Sequence, residues 1–289
     1  MKILLTNNSM HYRYGTEAWT YAMAKELTKH HTVDIYTNHP GIMSEKISEF
    51  CTIVTKISDD YDFAIVNHTP CFNRIPESVF RIFTSHSKVV DIEFFPVGAD
   101  ANVAVSEEIA KGKYPVIRNG INCAEFYPRK PINKTLKKVL YLSSPNYGGA
   151  AKEIIKKACK GLEVIVIDVH VSNIIKLISE VDLVISFGRG ALEAMACGRN
   201  VISADYRPYY MDKFCGGGII NQESFDDLKK DNFTGRLKGQ QAFTSETFQI
   251  ELEKYDAELG GWLRERILDE FNVEKTAQQY LSIYHDRQR

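Results

Sequence analysis

What the sequence lacks narrows the field first. Its six cysteines, Cys51, Cys71, Cys123, Cys159, Cys197 and Cys215, include no CxxC pair. Zinc-ribbon and thioredoxin-like chemistry therefore have no support. Several sit in apolar company, as Cys197 does in Ala-Met-Ala-Cys-Gly, the pattern of buried reduced thiols rather than disulfides. No apolar run approaches the roughly 18 residues that span a bilayer. Met1-Lys2 leads straight into Ile3-Leu4-Leu5-Thr6 and polar Asn7-Asn8, too short for the apolar region of a signal peptide. These absences predict a cytoplasmic protein with no transmembrane segment, peripheral membrane contact being left open. Neither sign of charge dominates: 36 Lys and Arg stand against 37 Asp and Glu, for a formal net charge of -1. A protein that coats nucleic acid would show a basic excess. No GxGxxG follows the first apolar run and no GxxxxGK[ST] occurs, which disfavours dinucleotide and P-loop chemistry.

What is present is ordinary in bulk and informative in pattern. Hydrophobic residues make up 44% and charged residues 25% of 289, close to a soluble globular average and long enough for two medium domains. Short apolar runs alternate with helical spacing. Lys2–Thr6, Thr32–Thr37, Phe63–Asn67, Val79–Ser85, Asn102–Val105 and Pro115–Arg118 read as strands. Residues Thr16–Lys29 read as a helix on the four-residue spacing of Trp19, Met23 and Leu27. After the stretch Phe126-Tyr-Pro-Arg-Lys-Pro-Ile-Asn-Lys134, which reads as an exposed linker, the alternation restarts. Lys138–Leu142, Glu163–Asp168, Leu183–Phe187 and Asn200–Ala204 are strands; Lys152–Ala158, Ile174–Ser179 and Ala191–Cys197 are helices. This predicts two βα halves, each built on a parallel sheet covered on both faces, with a helical tail. Cationic and anionic residues balance within the first half, which also holds His11, His30, His31, His39, His68 and His86.

The stretch from Leu183 to Ser203 carries the most chemistry. It reads as strand, Gly188-Arg189-Gly190 turn, short helix, Gly198 stop and strand. Two glycines let the backbone turn tightly and let a ligand approach it. The helix that follows starts with unpaired N–H groups and a partial positive charge, which favour a phosphate. Arg189 can add a bidentate phosphate contact. Glu193, read in the first helical turn, is placed to accept hydrogen bonds from ribose hydroxyls. Read blandly, the same residues form a plain βαβ turn with a solvated arginine.

Four motifs in order resemble the GT-B glycosyltransferases, specifically the large family-4-like group. They are Gly15-Thr-Glu17, Ala104-Val-Ser-Glu-Glu-Ile-Ala110, Val116-Ile-Arg-Asn-Gly-Ile-Asn-Cys-Ala-Glu-Phe-Tyr-Pro128 and Gly188-Arg-Gly-Ala-Leu-Glu-Ala-Met-Ala-Cys-Gly198. The resemblance implies two Rossmann-like domains with parallel sheets facing a central cleft. Residues 1–131 would form the acceptor domain and 132–265 the donor domain; 266–289 would cross back to the first. It implies a retaining, metal-independent hexosyltransferase that takes a nucleoside-diphosphate sugar, UDP-sugar favoured, as substrate and needs no cofactor. The acceptor would be a sugar, a lipid-linked glycan, a protein or a modified nucleic-acid base.

Carried over residue by residue, Gly15, Ser144, Asn146, Tyr147, Lys152, Gly188, Arg189, Gly190, Ala191 and Glu193 are the donor-binding candidates. His86 would contact the sugar or the charge developing near its anomeric carbon. Glu17, the second catalytic candidate, is either an acceptor contact or a charge suited to a helix N-terminus. Tyr12 and Tyr14, in His11-Tyr-Arg-Tyr14, offer stacking faces to an acceptor. Asn119-Gly120 reads as a structural turn. The chain departs from the family where Ile185 replaces a glutamate eight positions before Glu193, and where Tyr147 stands near the place of an arginine. Two alternatives follow: a non-catalytic nucleotide-sugar-binding homologue, and a nucleotide-sugar 2-epimerase, which needs carboxylates near C2 of the sugar.

Overall fold

Runs such as Ile3-Leu4-Leu5, Ile65-Val66 and Val139-Leu140-Tyr141 are too apolar to leave either face to water. In the computed structural model they are interior strands of two separate sheets, fully buried. The structure describes residues 1–142, 149–167, 171, 173–206, 213–237, 239 and 241–287. The chain divides into two compact units, Met1–Asn122 together with Phe271–Arg289, and Cys123–Glu270.

The first unit runs β1 (Lys2–Thr6), α1 (Gly15–Leu27), β2 (Thr32–Tyr36), α2 (Ile42–Ser48), β3 (Thr52–Val54), β4 (Phe63–Asn67), α3 (Thr69–Phe72), β5 (Phe80–Ser85), a 3-10 turn (Asp91–Glu93), β6 (Ala101–Ala104) and α4 (Glu107–Ala110). All six strands pair in parallel in the order β3-β2-β1-β4-β5-β6. The order reverses between β1 and β4, the place where an open α/β sheet leaves a crevice at its carboxyl edge. Pro115–Arg118, expected as a strand, makes only an isolated bridge between Val116 and Ala104. β3 is a three-residue edge strand, too short to show a period.

The second unit runs β7 (Lys138–Leu142), α5 (Gly149–Ala158), β8 (Glu163–Ile167), α6 (Ile174–Ser179), β9 (Leu183–Ser186), α7 (Gly188–Ala196), β10 (Asn200–Tyr206), β11 (Phe214–Ile219), α8 (Phe225–Lys229), β12 (Gln241–Ala242), α9 (Ser245–Glu253) and α10 (Leu259–Glu270). Its order is β12-β11-β10-β9-β7-β8. The expectation of parallel sheets throughout needs correction here: β11 pairs antiparallel with both β10 and β12. Phe214-Cys-Gly-Gly-Gly-Ile is glycine-rich and carries no apolar alternation. Its glycines are steric, because a Cβ on Gly216 would strike the Ser203 carbonyl.

The last helix, α11 (Val273–Arg287), belongs to the first unit. Trp19 stacks edge-on against Tyr280, whose hydroxyl lies 2.9 Å from Thr84 Oγ1, and Tyr284 stacks on Phe63. A Cβ on Gly120 would meet Val273 Cα and Thr276 Oγ1, both 2.7 Å away, so the Asn119-Gly120 turn is a seat for α11.

The first division falls at Asn122/Cys123, before the proline-rich stretch rather than within it. That stretch is exposed from Tyr127 to Pro131, but its backbone is tied to the second unit. The Lys130 carbonyl accepts from Arg199 Nη2 (2.6 Å) and the Asn133 carbonyl from the Tyr255 hydroxyl (2.6 Å). Arg264 donates to the carbonyls of Cys123, Phe126 and Ala196.

Candidate functional site

Residues that the motifs single out fall at carboxyl edges of the two sheets. In the second unit β9 ends at Ser186, and Phe187 is the extended N-cap of α7. Gly188 takes φ +53, a left-handed value that a glycine adopts without strain. The sequence expectation is corrected here. Gly188, Arg189 and Gly190 do not precede the helix; they form its first turn, and Glu193 lies in the second. The left-handed Gly188 lets α7 begin directly after the strand. Gly190 is required by packing, since a Cβ there would overlap Ser186 Oγ and touch Leu142. Leu192, Met195 and Ala196 are fully buried and hold the helix to its sheet.

Arg189 is not solvated. Its Nε donates to Glu193 Oε1 at 2.9 Å, one helical turn on, and the two side chains are 8% and 2% exposed. A buried pair of this kind is retained only when its geometry is good, and it places the guanidinium and the ribose-binding candidate side by side. Gly188 and Ala191 are buried, and Gly190 is half-buried. A Cβ on Gly188 would sit 3.4 Å from Asn232 Nδ2. Asn232 and Phe233 both take positive φ, 57° and 60°, strain that the sequence does not announce. Ile185, the position of the departure from the family, is fully buried in β9. Lys152 is half-buried on α5. Ser144, Asn146 and Tyr147 lie outside the described residues.

In the first unit Gly15 opens α1, is exposed, and has nothing within 4 Å of where a Cβ would stand. Tyr12 and Tyr14 are exposed and stack edge to face, Tyr12 also against His11. His86 follows β5. Its Nε2 lies 3.0 Å from Asn67 Oδ1, and its ring meets Trp19 edge-on at 5.2 Å. Asn67, at the end of β4, donates from Nδ2 to Thr20 Oγ1 (3.3 Å), as does Asn7 after β1 (3.1 Å).

Glu17 is 5% exposed and accepts from Thr16 Oγ1 at 3.1 Å. Burial pushes its carboxyl above the ordinary range, with Glu93 adding to the shift; its backbone hydrogen bond, Thr16 and His68 oppose it. His68 adopts φ +74 at the end of β4. Its Nδ1 accepts the Asn8 N–H at 3.1 Å, and Nε2 lies 3.6 Å from Glu93 Oε1. Glu93 Oε2 is buried with no hydrogen-bond partner. Asn7, Thr20, Asn67, His68 and Glu93 are thus residues that the motif reading missed. The available signal was Asn67-His68, two polar residues closing an otherwise apolar strand.

The Glu17 shift has a testable sign. A carboxyl whose native pKa lies above its unfolded value holds its proton more firmly in the folded state. Stability then falls as pH rises from about 4.5, the ordinary value, until the native group has also ionised. Glu17→Gln removes this loss. In thermal melts from pH 4 to 8 the variant should gain on wild type as pH rises; parallel curves would refute the shift.

Asp60-Tyr61-Asp62 has the spacing of a metal-holding carboxylate pair, but it precedes β4 at the opposite, amino edge. There Asp60 pairs with Lys2 Nζ (2.6 Å) and Asp62 accepts the Lys2 N–H (2.7 Å). Among the described residues no three His, Cys, Asp or Glu side chains converge as a metal-binding group. No helix among them is long and apolar enough to cross a membrane.

Two units built on six-stranded sheets, the second capped by antiparallel strands and the last helix returned to the first, define the GT-B fold. Solved structures carry the same assignment. Anabaena HepE in complex with UDP-glucose superposes with a TM-score of 0.67 at 13% identity, over 99% of this chain and 100% of that one. A glycosyltransferase from Rickettsia africae gives 0.62 at 13%, over 99% and 98%. A putative UDP-N-acetylglucosamine 2-epimerase from Listeria monocytogenes gives 0.55 at 12%, over 99% and 96%. No protein-family model and no curated protein matches the sequence.

Proposed function

We propose that the chain is a glycosyltransferase that moves a sugar from a nucleoside-diphosphate sugar, UDP-sugar favoured, to an acceptor hydroxyl, retaining anomeric configuration and without a metal. One observation carries the reading: Gly15, Glu17 and His86 on one sheet, and Gly188 to Glu193 on the other, all fall at carboxyl edges of parallel strands. Open α/β sheets bind ligands there. The neighbours solved with UDP-glucose or called glycosyltransferases support the same class. The reaction breaks the bond between the anomeric carbon and a diphosphate oxygen. It forms a bond to the acceptor oxygen on the same face, and it releases the nucleoside diphosphate and a proton. The first-turn amides of α7 and the Arg189 guanidinium stabilise the departing diphosphate, and Glu193 holds the ribose. His86 meets the sugar, and Tyr12 and Tyr14 stack on the acceptor.

The test is transfer or donor hydrolysis with a panel of UDP-, GDP- and ADP-sugars, with Glu193→Ala as control. No turnover, with no nucleotide binding by calorimetry, overturns the reading. Product analysis from donor alone separates it from 2-epimerisation, which the buried carboxylates Glu17 and Glu93 and the Listeria neighbour keep in view. Nucleotide binding without turnover in a broad acceptor mixture would instead mark a non-catalytic homologue.

Gly15 gives a sharper check. Its φ is not positive and the space above it is open, so Gly15→Ala should leave stability unchanged or raise it by about 0.5 kcal/mol. If that space admits the donor, the donor KM rises several-fold. An unchanged KM would remove Gly15 from the site.

A further inference from the structure

Hydrogen bonds at the carboxyl edge of the first sheet run in one direction, and two backbone groups set it. The Ser9 N–H can only donate, and it donates to Asn7 Oδ1 (3.3 Å). The Asn7 Nδ2 group therefore faces Thr20 Oγ1. The Thr16 carbonyl can only accept, and it takes the single hydroxyl proton of Thr20 (2.9 Å). Thr20 Oγ1 is then an acceptor for both Asn7 Nδ2 and Asn67 Nδ2. That orients the Asn67 amide with Oδ1 toward His86 Nε2, 3.0 Å away. An amide oxygen cannot donate, so the proton of the neutral imidazole must lie on Nε2.

We propose that Asn67 is a positioning residue for His86: through the Thr16–Thr20–Asn67 relay it fixes the imidazole as the Nε2–H tautomer and sets the orientation of its ring. The proposal rests on the reading of His86 as the sugar-facing group. It gives that reading a direction, because any hydrogen bond the neutral ring makes to a sugar hydroxyl is then one accepted at Nδ1. The relay is enclosed. Asn7, Thr20 and Asn67 are fully buried, and Trp19, 1% exposed, braces the ring edge-on. A buried network of directed hydrogen bonds of this kind favours one geometry.

His68, one residue beyond Asn67, is the internal control. Its Nδ1 accepts a backbone N–H from Asn8, so its proton also lies on Nε2, and neither Asn67 nor Thr20 sets it there. The two histidines end adjacent strands and should respond differently to the same substitution.

The experiment is long-range proton–nitrogen spectroscopy of the full-length protein labelled with 15N-histidine, with His86 assigned through His86→Gln. The expected result is an Nε2–H tautomer at His86 in the wild type. Asn67→Ala should give mixed tautomers there while His68 keeps its signature, and Asn67→Asp, which retains an acceptor oxygen, should restore Nε2–H. Thr20→Val, close in shape and free of any new charge, should also mix the tautomers by releasing the Asn67 amide, which serves if the Asn67 variants fold poorly. In transfer assays Asn67→Ala should lower kcat about tenfold with a smaller change in donor KM. An Nδ1–H ring in the wild type, a ring indifferent to both Asn67→Ala and Thr20→Val, or mixed tautomers with wild-type kcat would each overturn the proposal. A wild type with the expected tautomer that turns over no donor strikes the transferase reading alone.

Discussion

Glu193→Ala should weaken nucleotide binding about a hundredfold and lower stability by about 3 kcal/mol. The two effects have different causes and can be separated. Glu193 accepts from Arg189 Nε inside a helix whose inner face is fully buried. Removing the carboxylate takes the acidic partner from a guanidinium that is 8% exposed, and breaking a buried pair from one side typically costs 3–5 kcal/mol. The lower end applies because a long arginine can turn its head toward water. Exchanging both members for apolar groups of similar volume, Arg189→Met with Glu193→Leu, should recover most of the stability. It should not recover binding. A carboxylate that takes two ribose hydroxyls loses two charge-assisted bonds of about 1.5 kcal/mol or more each, roughly a hundredfold in Kd. Denaturant melts and UDP calorimetry on the single and double variants make the comparison. A stable double variant that still binds UDP would show that this carboxylate is structural and that the nucleotide sits elsewhere.

That outcome matters because this corner was only partly legible in the sequence. The glycines, the helix and its buried inner face follow from residue type and spacing, and so do most strands, since β-branched runs with both faces covered have no other use. The start of α7 does not follow. A Gly-Arg-Gly triplet reads as a turn, and only the left-handed Gly188 with Ser186 packed over Gly190 shows why it is helix. The Arg189–Glu193 pair could have been read, because i,i+4 opposite charges meet on a helix; its burial could not. In the first unit, His86, Gly15 and Glu17 are candidates only through resemblance. The polar residues that lead to His86, Asn7, Thr20 and Asn67, lie on separate segments, and no local pattern announces such a meeting. β11 was missed because its glycines serve close backbone approach, which leaves no periodic side chains to see.

Asp182→Ala should be the most damaging change in the second unit, at about 4 kcal/mol. The Asp182 carboxylate is 2% exposed and takes the N–H groups of Asn133, Lys137 and Lys138 at 2.9, 3.0 and 2.9 Å, with the Asn133 side-chain amide at 3.0 Å. Bonds to a charged acceptor are worth about 1.5–3 kcal/mol each. The total is less than their sum, because Asn133 is only half-buried and water can replace part of the loss. Asp182→Asn, which keeps one acceptor oxygen, should cost about half as much. For a chain of this size 4 kcal/mol corresponds to a fall in Tm of about 10 °C, and amide exchange should quicken first at Lys137 and Lys138. The damage should reach function by a defined route. Asp182 stands one residue before β9, and β9 runs directly into α7, so loosening that anchor lets the helix carrying Gly188 and Glu193 drift against its sheet. Donor KM should rise at temperatures where the variant is still folded. An unchanged KM in a destabilised but folded variant would mean that α7 is held from its packed inner face alone, and that the linker anchor serves the fold without serving the site.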